Sequence, residues 1–167
     1  MTSDQEIAES GARSVTNTVR AAASPLACVV PSNTNAYARA WFRLAQQRWT
    51  SIALVPASRS LAIAPIANGI AAAATSYGEP VSVIVALHLA PAAVYALRDE
   101  LTQRTALGGK TIVAIGSPLA DAGLISVARA TDACILVVGL GRATTAEARE
   151  TIACIGSERF VGSFAVS

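Results

Sequence analysis

Residues 51–87 read SIALVPASRSLAIAPIANGIAAAATSYGEPVSVIVAL. Ser51–Pro56 is a short apolar run, and Ala57–Ser60 is a short polar loop. An alanine-rich segment, Ala64–Tyr77, comes next. Gly78-Glu79-Pro80 breaks it, and Val81–Leu87 is a second apolar run. Short apolar runs bounded by breakers suit buried parallel strands, and the longer alanine-rich piece between them suits a crossover helix. Together they predict a βαβ unit. Its right-handed crossover puts the first loop at the carboxyl edge of the sheet, where open α/β folds bind ligands.

A phosphate-binding loop at that place needs glycines that turn backbone N–H groups toward phosphate. It also needs a lysine for the terminal phosphates and a Ser or Thr hydroxyl for Mg²⁺. Between Val55 and Asn68 there is neither glycine nor lysine. The shape of a nucleotide-binding unit is therefore expected without its chemistry.

The pattern continues outward from this unit. Asn33 or Thr34 is a candidate N-cap for a helix over Asn35–Gln47, which carries Tyr37, Trp41, Phe42 and Leu44 between Arg39, Arg43 and Arg48. Packing against the sheet edge is the preferred reading of the aromatics. The sharper reading makes Tyr37, Arg39, Trp41 and Arg43 a protomer contact, since Tyr, Trp and Arg anchor interfaces.

Downstream, Pro91–Arg104 reads as a helix stopped by Gly108-Gly109, and Lys110–Gly116 as a third strand. Gly123–Thr131 is a short helix and Ala133–Gly139 a fourth strand. Thr144 or Thr145 caps a helix over Ala146–Ile155 with Glu147 in its first turn, and Phe160–Val166 is a fifth strand. The expected fold is α/β: a doubly wound, mainly parallel five-stranded sheet flanked by helices in three Rossmann-like layers. Residues 35–167 form this domain. Residues 1–34 form a mobile N-terminal segment: residues 1–24, ended by Ser24-Pro25, read as a loose helix or a mobile stretch, and Leu26–Val30 is an apolar run suited to an edge strand.

The bulk properties narrow the function. A chain of 167 residues fits one domain, and 53% hydrophobic with 14% charged content fills a core. A net charge of +2 with no Lys/Arg cluster argues against nucleic acid. Cys28, Cys134 and Cys154 have no metal-binding spacing, and Cys134 and Cys154 are expected to be buried thiols, consistent with the cytoplasm. The acidic start MTSDQEIAES is not a signal peptide. No apolar stretch reaches the length of a membrane span, so a soluble protein is expected despite a mean hydropathy of +0.47.

A resemblance now enters on an ordered set of motifs. Ile115-Gly116-Ser117-Pro118-Leu119-Ala120-Asp121 stands where a family has an Asp-Thr-Pro-Pro loop with a following Asp. Ala130-Thr131-Asp132, Ile135–Val138, Gly141-Arg142-Ala143-Thr144-Thr145 and Ile155–Phe164 follow in its order. Upstream, Ala36–Arg43 is similar to its Glu-Ala-Tyr-Arg helix, and Asn68 with Ala71–Ala74 to the helix after its phosphate loop. The chain, over about residues 35–166, resembles the ParA/MinD-like P-loop ATPases. Within them it is nearest the cytoplasmic kinase domain of bacterial tyrosine kinases of the capsule and exopolysaccharide co-polymerase type.

The departures are systematic. On this correspondence the loop lysine falls at Ala62, its preceding glycine at Leu61, and the Ser/Thr pair at Ile63 and Ala64. The acids closing strand two fall at Val85 and Leu87, and that closing strand three at Gly116. Pro65 is expected to delay the helix by a turn and move its N–H groups away from phosphate. Asn35 replaces the glutamate of the family's oligomerisation pattern, and no tyrosine-rich tail follows the last strand. The resemblance implies a non-catalytic structural or regulatory partner in exopolysaccharide or capsule synthesis or export, with no cofactor. Its partner would be a membrane polysaccharide co-polymerase or an intact paralogous ATPase or kinase, or a further copy of itself. It would be cytoplasmic and reach the inner membrane through that partner. The alternative is an altered nucleotide sensor, or a weak ATPase or kinase, holding an anion on Ser58, Arg59, Ser60, Ser117 and Asp121, with ATP and Mg²⁺ bound only residually. Asp121 and Asp132 are otherwise helix caps or turn terminators, and the lone His88 has no partner in sequence.

Overall fold

The computed structural model describes residues 34–166. Helices α1 (Thr34–Ala45), α2 (Ala64–Ser76), α3 (Pro91–Ala106), α4 (Gly123–Ala130) and α5 (Thr145–Ile155) alternate with strands β1 (Ser51–Pro56), β2 (Val81–Ala86), β3 (Lys110–Ile115), β4 (Ala133–Gly139) and β5 (Phe160–Val166). All five strands are parallel, in the order β2-β3-β1-β4-β5. The expected α/β class and all five strands are present, and the sheet is wholly parallel. Asn33, Cys28 and the Leu26–Val30 run lie outside the described residues.

The burial of the strands explains their composition. β1, at the centre, is buried along its whole length, so SIALVP has no polar alternation. Its even positions, Ile52 and Leu54, face one core with Tyr37, Trp41, Leu44, Trp49, Ile66 and Ile70. Its odd positions, Ala53 and Val55, face a second core with Leu97, Leu101, Leu124, Val127 and Ile155. Helices α1 and α2 thus cover one face, and α3, α4 and α5 the other. Alanine in α2 permits close approach: Ala67 and Ala74 are fully buried against the sheet.

In the two commonest doubly wound orders β1 pairs with β2. Here β1 pairs with β3 and β4, and β2 is an edge strand. The chain leaves β1 across one face and leaves both neighbouring strands across the other. The carboxyl end of β1 is therefore the point where the winding reverses.

At the opposite, amino edge, one carboxylate ties β1 to β4. Asp132 accepts from the Thr50 N–H (2.8 Å), the Thr50 hydroxyl (2.6 Å) and the Ser51 N–H (2.9 Å). Partial burial by itself would raise this carboxyl; the bonds from Thr50 and Ser51 outweigh it and hold Asp132 below its ordinary range. A depressed folded value stabilises above the ordinary carboxylate pKa of about 4, and that stability is lost as pH falls through the folded value. Asp132→Ala is expected to cost about 1–3 kcal/mol at neutral pH, by stranding the two N–H groups. The difference from the parent should shrink below about pH 4 in urea titrations.

Cys134 is buried, and burial raises its thiol pKa, with the Thr131 hydroxyl and Arg159 opposing. Cys154 is only half-buried, contrary to expectation, because α5 is amphipathic and places it beside the covered face. Among the described residues no helix is long and apolar enough to cross a membrane.

Candidate functional site at the carboxyl edge

The loop from Ala57 to Ile63 begins as an extension of the sheet, because the Ala57 N–H still donates to Val137 O (2.8 Å). Ser58 follows and is 1% exposed, and its hydroxyl has no partner. On the neighbouring strand, continuing the register of Leu54 with Ala114 sets Ala57 opposite Ser117. Ser117 is 8% exposed and its hydroxyl is likewise unpartnered. Two unsatisfied buried hydroxyls thus leave adjacent strand ends at the reversal point. Each such group is unusual in a folded protein.

The remaining candidates have other work or other surroundings. Arg59 and Ser60 are exposed. Arg59 lies within electrostatic reach of Glu147, the carboxylate of the α5 capping box. The Thr144 N–H and hydroxyl bonds lower Glu147 most, burial opposes slightly, and Arg59 lowers it further. The N-terminus of α5 therefore carries its own anion, which Arg59 partly neutralises.

Asp121 is committed to the backbone. It accepts from the Gly123 N–H (2.9 Å) and from the Leu89 N–H (3.3 Å), joining the loops after β3 and β2. The expected N-cap role is corrected: the N-cap of α4 is Ala122, without a side-chain cap, and Asp121 stands one residue ahead of it. His88 is exposed.

Apolar and backbone atoms crowd the carboxyl ends of the strands. Leu61 packs against the first core, and its Cδ1 stands 3.2 Å from where a Cβ on Gly139 would be, at the end of β4. An apolar side chain thus bridges the ends of β1 and β4. At Gly116 a Cβ would lie 2.1 Å from the Leu87 carbonyl oxygen, so the backbone after β2 occupies the space beside β3.

The expected late start of α2 is corrected. The helix begins at Ala64, because Ile63 already has helical dihedrals and its carbonyl accepts from both Ile66 and Ala67. Pro65 instead sits inside the first turn, where its missing N–H is tolerated. It still withholds one donor from any anion there, and Ile66 N–H is already spent.

Leucine, proline and a carbonyl stand where the resemblance would need the donors and carboxylates of a Mg²⁺–nucleotide site. Among the described residues no group of three or more His, Cys, Asp and Glu side chains is placed to hold a metal.

The interface candidates divide. Tyr37 and Trp41 are buried in the first core and offer no surface to a partner, which corrects the protomer-contact reading for these two. The spacing that puts Tyr37, Trp41 and Leu44 on one side of α1 leaves Arg39 and Arg43 exposed on the other. Phe42 is exposed with them and lies 4.7 Å, between ring centroids, from the exposed Tyr77 of α2. Tyr77 and the contact of Leu61 with Gly139 were missed in sequence, since both depend on contacts between separate elements.

Comparison with models of protein families, with curated proteins and with solved structures finds no match to this chain.

Proposed function

We propose that this chain is a non-catalytic relative of the P-loop ATPases, a structural or regulatory partner in bacterial exopolysaccharide or capsule synthesis or export. The observation that supports it is the crowding of the strand ends where the resemblance would put phosphate, with Leu61 against Gly139 and the Leu87 carbonyl against Gly116. A site that had only lost its charged residues would be left open. The pathway rests on the ordered motif resemblance over about residues 35–166. The partner on this reading is a membrane polysaccharide co-polymerase or an intact paralogous ATPase or kinase. The exposed pair Phe42 and Tyr77, flanked by Arg39 and Arg43, supplies the aromatic and arginine groups that anchor protein contacts.

Purified protein is expected to show no Mg²⁺-dependent ATP hydrolysis above background. Co-purification with the co-polymerase of the same gene cluster should be lost in Phe42→Ala/Tyr77→Ala. Sustained turnover, or co-purification indifferent to that double variant, would overturn the corresponding half of the proposal.

The second reading is an anion or nucleotide sensor. The unpartnered Ser58 and Ser117 hydroxyls favour it, with Arg59 exposed beside them. It predicts ligand-dependent stabilisation that Arg59→Ala removes.

A further inference from the structure

Among the described residues strand β5 is the outer strand of the sheet, beyond β4, and its sequence FVGSFAV carries no charge and no proline. Natural sheet edges are usually guarded by charge, proline or cover, because unpaired N–H and C=O groups invite another strand. Beside β5, on the α1 face, lies an open groove of about 1000 Å³ lined by Asn35, Ala36 and Arg39 on one side and by Val161, Gly162 and Phe164 on the other.

The course of α1 says which strand belongs there. Its first turn stands over β5, with Tyr37 and Phe164 ring centroids 6.3 Å apart. Its later turn stands over the start of β3, where Lys110 Nζ is 5.2 Å from the Trp41 ring. The helix thus travels from the β5 side of the sheet toward β1 and beyond, on the face that α2 also covers. The β1–α2–β2 crossover moves in the same direction on that face. Parallel crossovers are right-handed almost without exception. A strand that precedes α1 and shares its handedness must therefore lie on the β4–β5 side of β1. The positions of β4 and β5 are taken, so the free place is outside β5.

We infer that the outer edge of β5 is a docking surface for an extended apolar segment of this same chain, Leu26–Val30 (LACVV). Only Pro31, Ser32 and Asn33 separate Val30 from Thr34, and this four-residue step spans at most about 13–14 Å. That reach suffices because the start of α1 already borders β5, and a paired strand lies about 4.8 Å beyond its neighbour. The segment is uncharged and apolar and ends on two β-branched residues, Val29 and Val30, matching the edge it would cover. The inference does not depend on the proposed function.

Hydrogen exchange on the full chain tests it. The β5 amides that do not donate to β4 should exchange at least ~10-fold more slowly than in a free chain, independently of protein concentration. Cys28→Pro/Val29→Pro should abolish that protection. Successive residues point their N–H groups to opposite sides of a strand, so one proline removes a pairing donor in either register. Free-chain exchange in the parent, or protection unchanged in the double variant, overturns the inference. Protection that grows with concentration alongside a doubled mass assigns the edge to a second copy and also overturns it.

Discussion

Trp41→Ala will lower the unfolding midpoint by about 10 °C. Trp41 is 1% exposed and is among the largest fully buried side chains. Its ring meets Trp49 edge-on at 6.2 Å and 83°, and Trp49 is itself fixed by its indole N–H donating to Leu44 O (2.8 Å). Lys110 Nζ lies 5.2 Å and 5.5 Å from the two ring centroids and pairs with Glu79 at 2.7 Å. Removing the ring leaves a cavity between α1 and the sheet and takes away both the aromatic and the cation–π contact. Truncating a buried tryptophan costs about 3–5 kcal/mol, and each kcal/mol shifts the midpoint of a chain this size by about 2–4 °C. The exposed neighbour serves as control: Phe42→Ala should cost no more than about 1 kcal/mol. Circular dichroism melts of the two variants decide the matter. Equal losses would mean that α1 does not present Trp41 to the sheet.

Placing an acid at the end of β3 is expected to damage the protein. Gly116→Asp places a Cβ where the Leu87 carbonyl oxygen now sits, at 2.1 Å, and adds a carboxylate beside that oxygen. The backbone there is held by Gly116 N–H donating to Ala86 O (3.0 Å), so the β2 end cannot easily yield. Overpacking typically costs about 1–3 kcal/mol, and an obstruction by backbone belongs at or above the top of that range. Gly116→Ala isolates the steric part and should cost about 2–3 kcal/mol on the same basis. Denaturant melts with and without Mg²⁺ measure both. If Gly116→Asp matched the parent in stability and gained stabilisation from Mg²⁺, the site would be dormant rather than filled, and the proposed function would need revision.

The strands were legible because each is a short apolar run between breakers, and the helix starts because Pro91 and the Thr144–Glu147 box are local signals. The capping box is present as the sequence implies, since all its atoms lie within four residues. The order of the strands was not legible. It depends on which runs pair, as when Asp132 meets Thr50 across 82 residues. The Leu61–Gly139 contact was hidden for the same reason. Leu61 reads as an unremarkable loop leucine until β4 brings Gly139 beneath it. The Ser58 and Ser117 hydroxyls were singled out as anion ligands, yet only the folded sheet reveals that they are buried without partners. Pro65 misleads because its steric demand on Ala64 implies a helix start one turn late, whereas it fits within the first turn.

Thermal unfolding of the full chain with and without millimolar Mg²⁺–ATP, ADP or GTP tests whether the phosphate position is closed. A ligand held only by the folded protein must raise the midpoint by mass action. No shift with any of the three is expected. A rise of several degrees that Arg59→Ala abolishes would show that the loop after β1 still grips phosphate, and would contradict the non-catalytic reading in favour of a sensor.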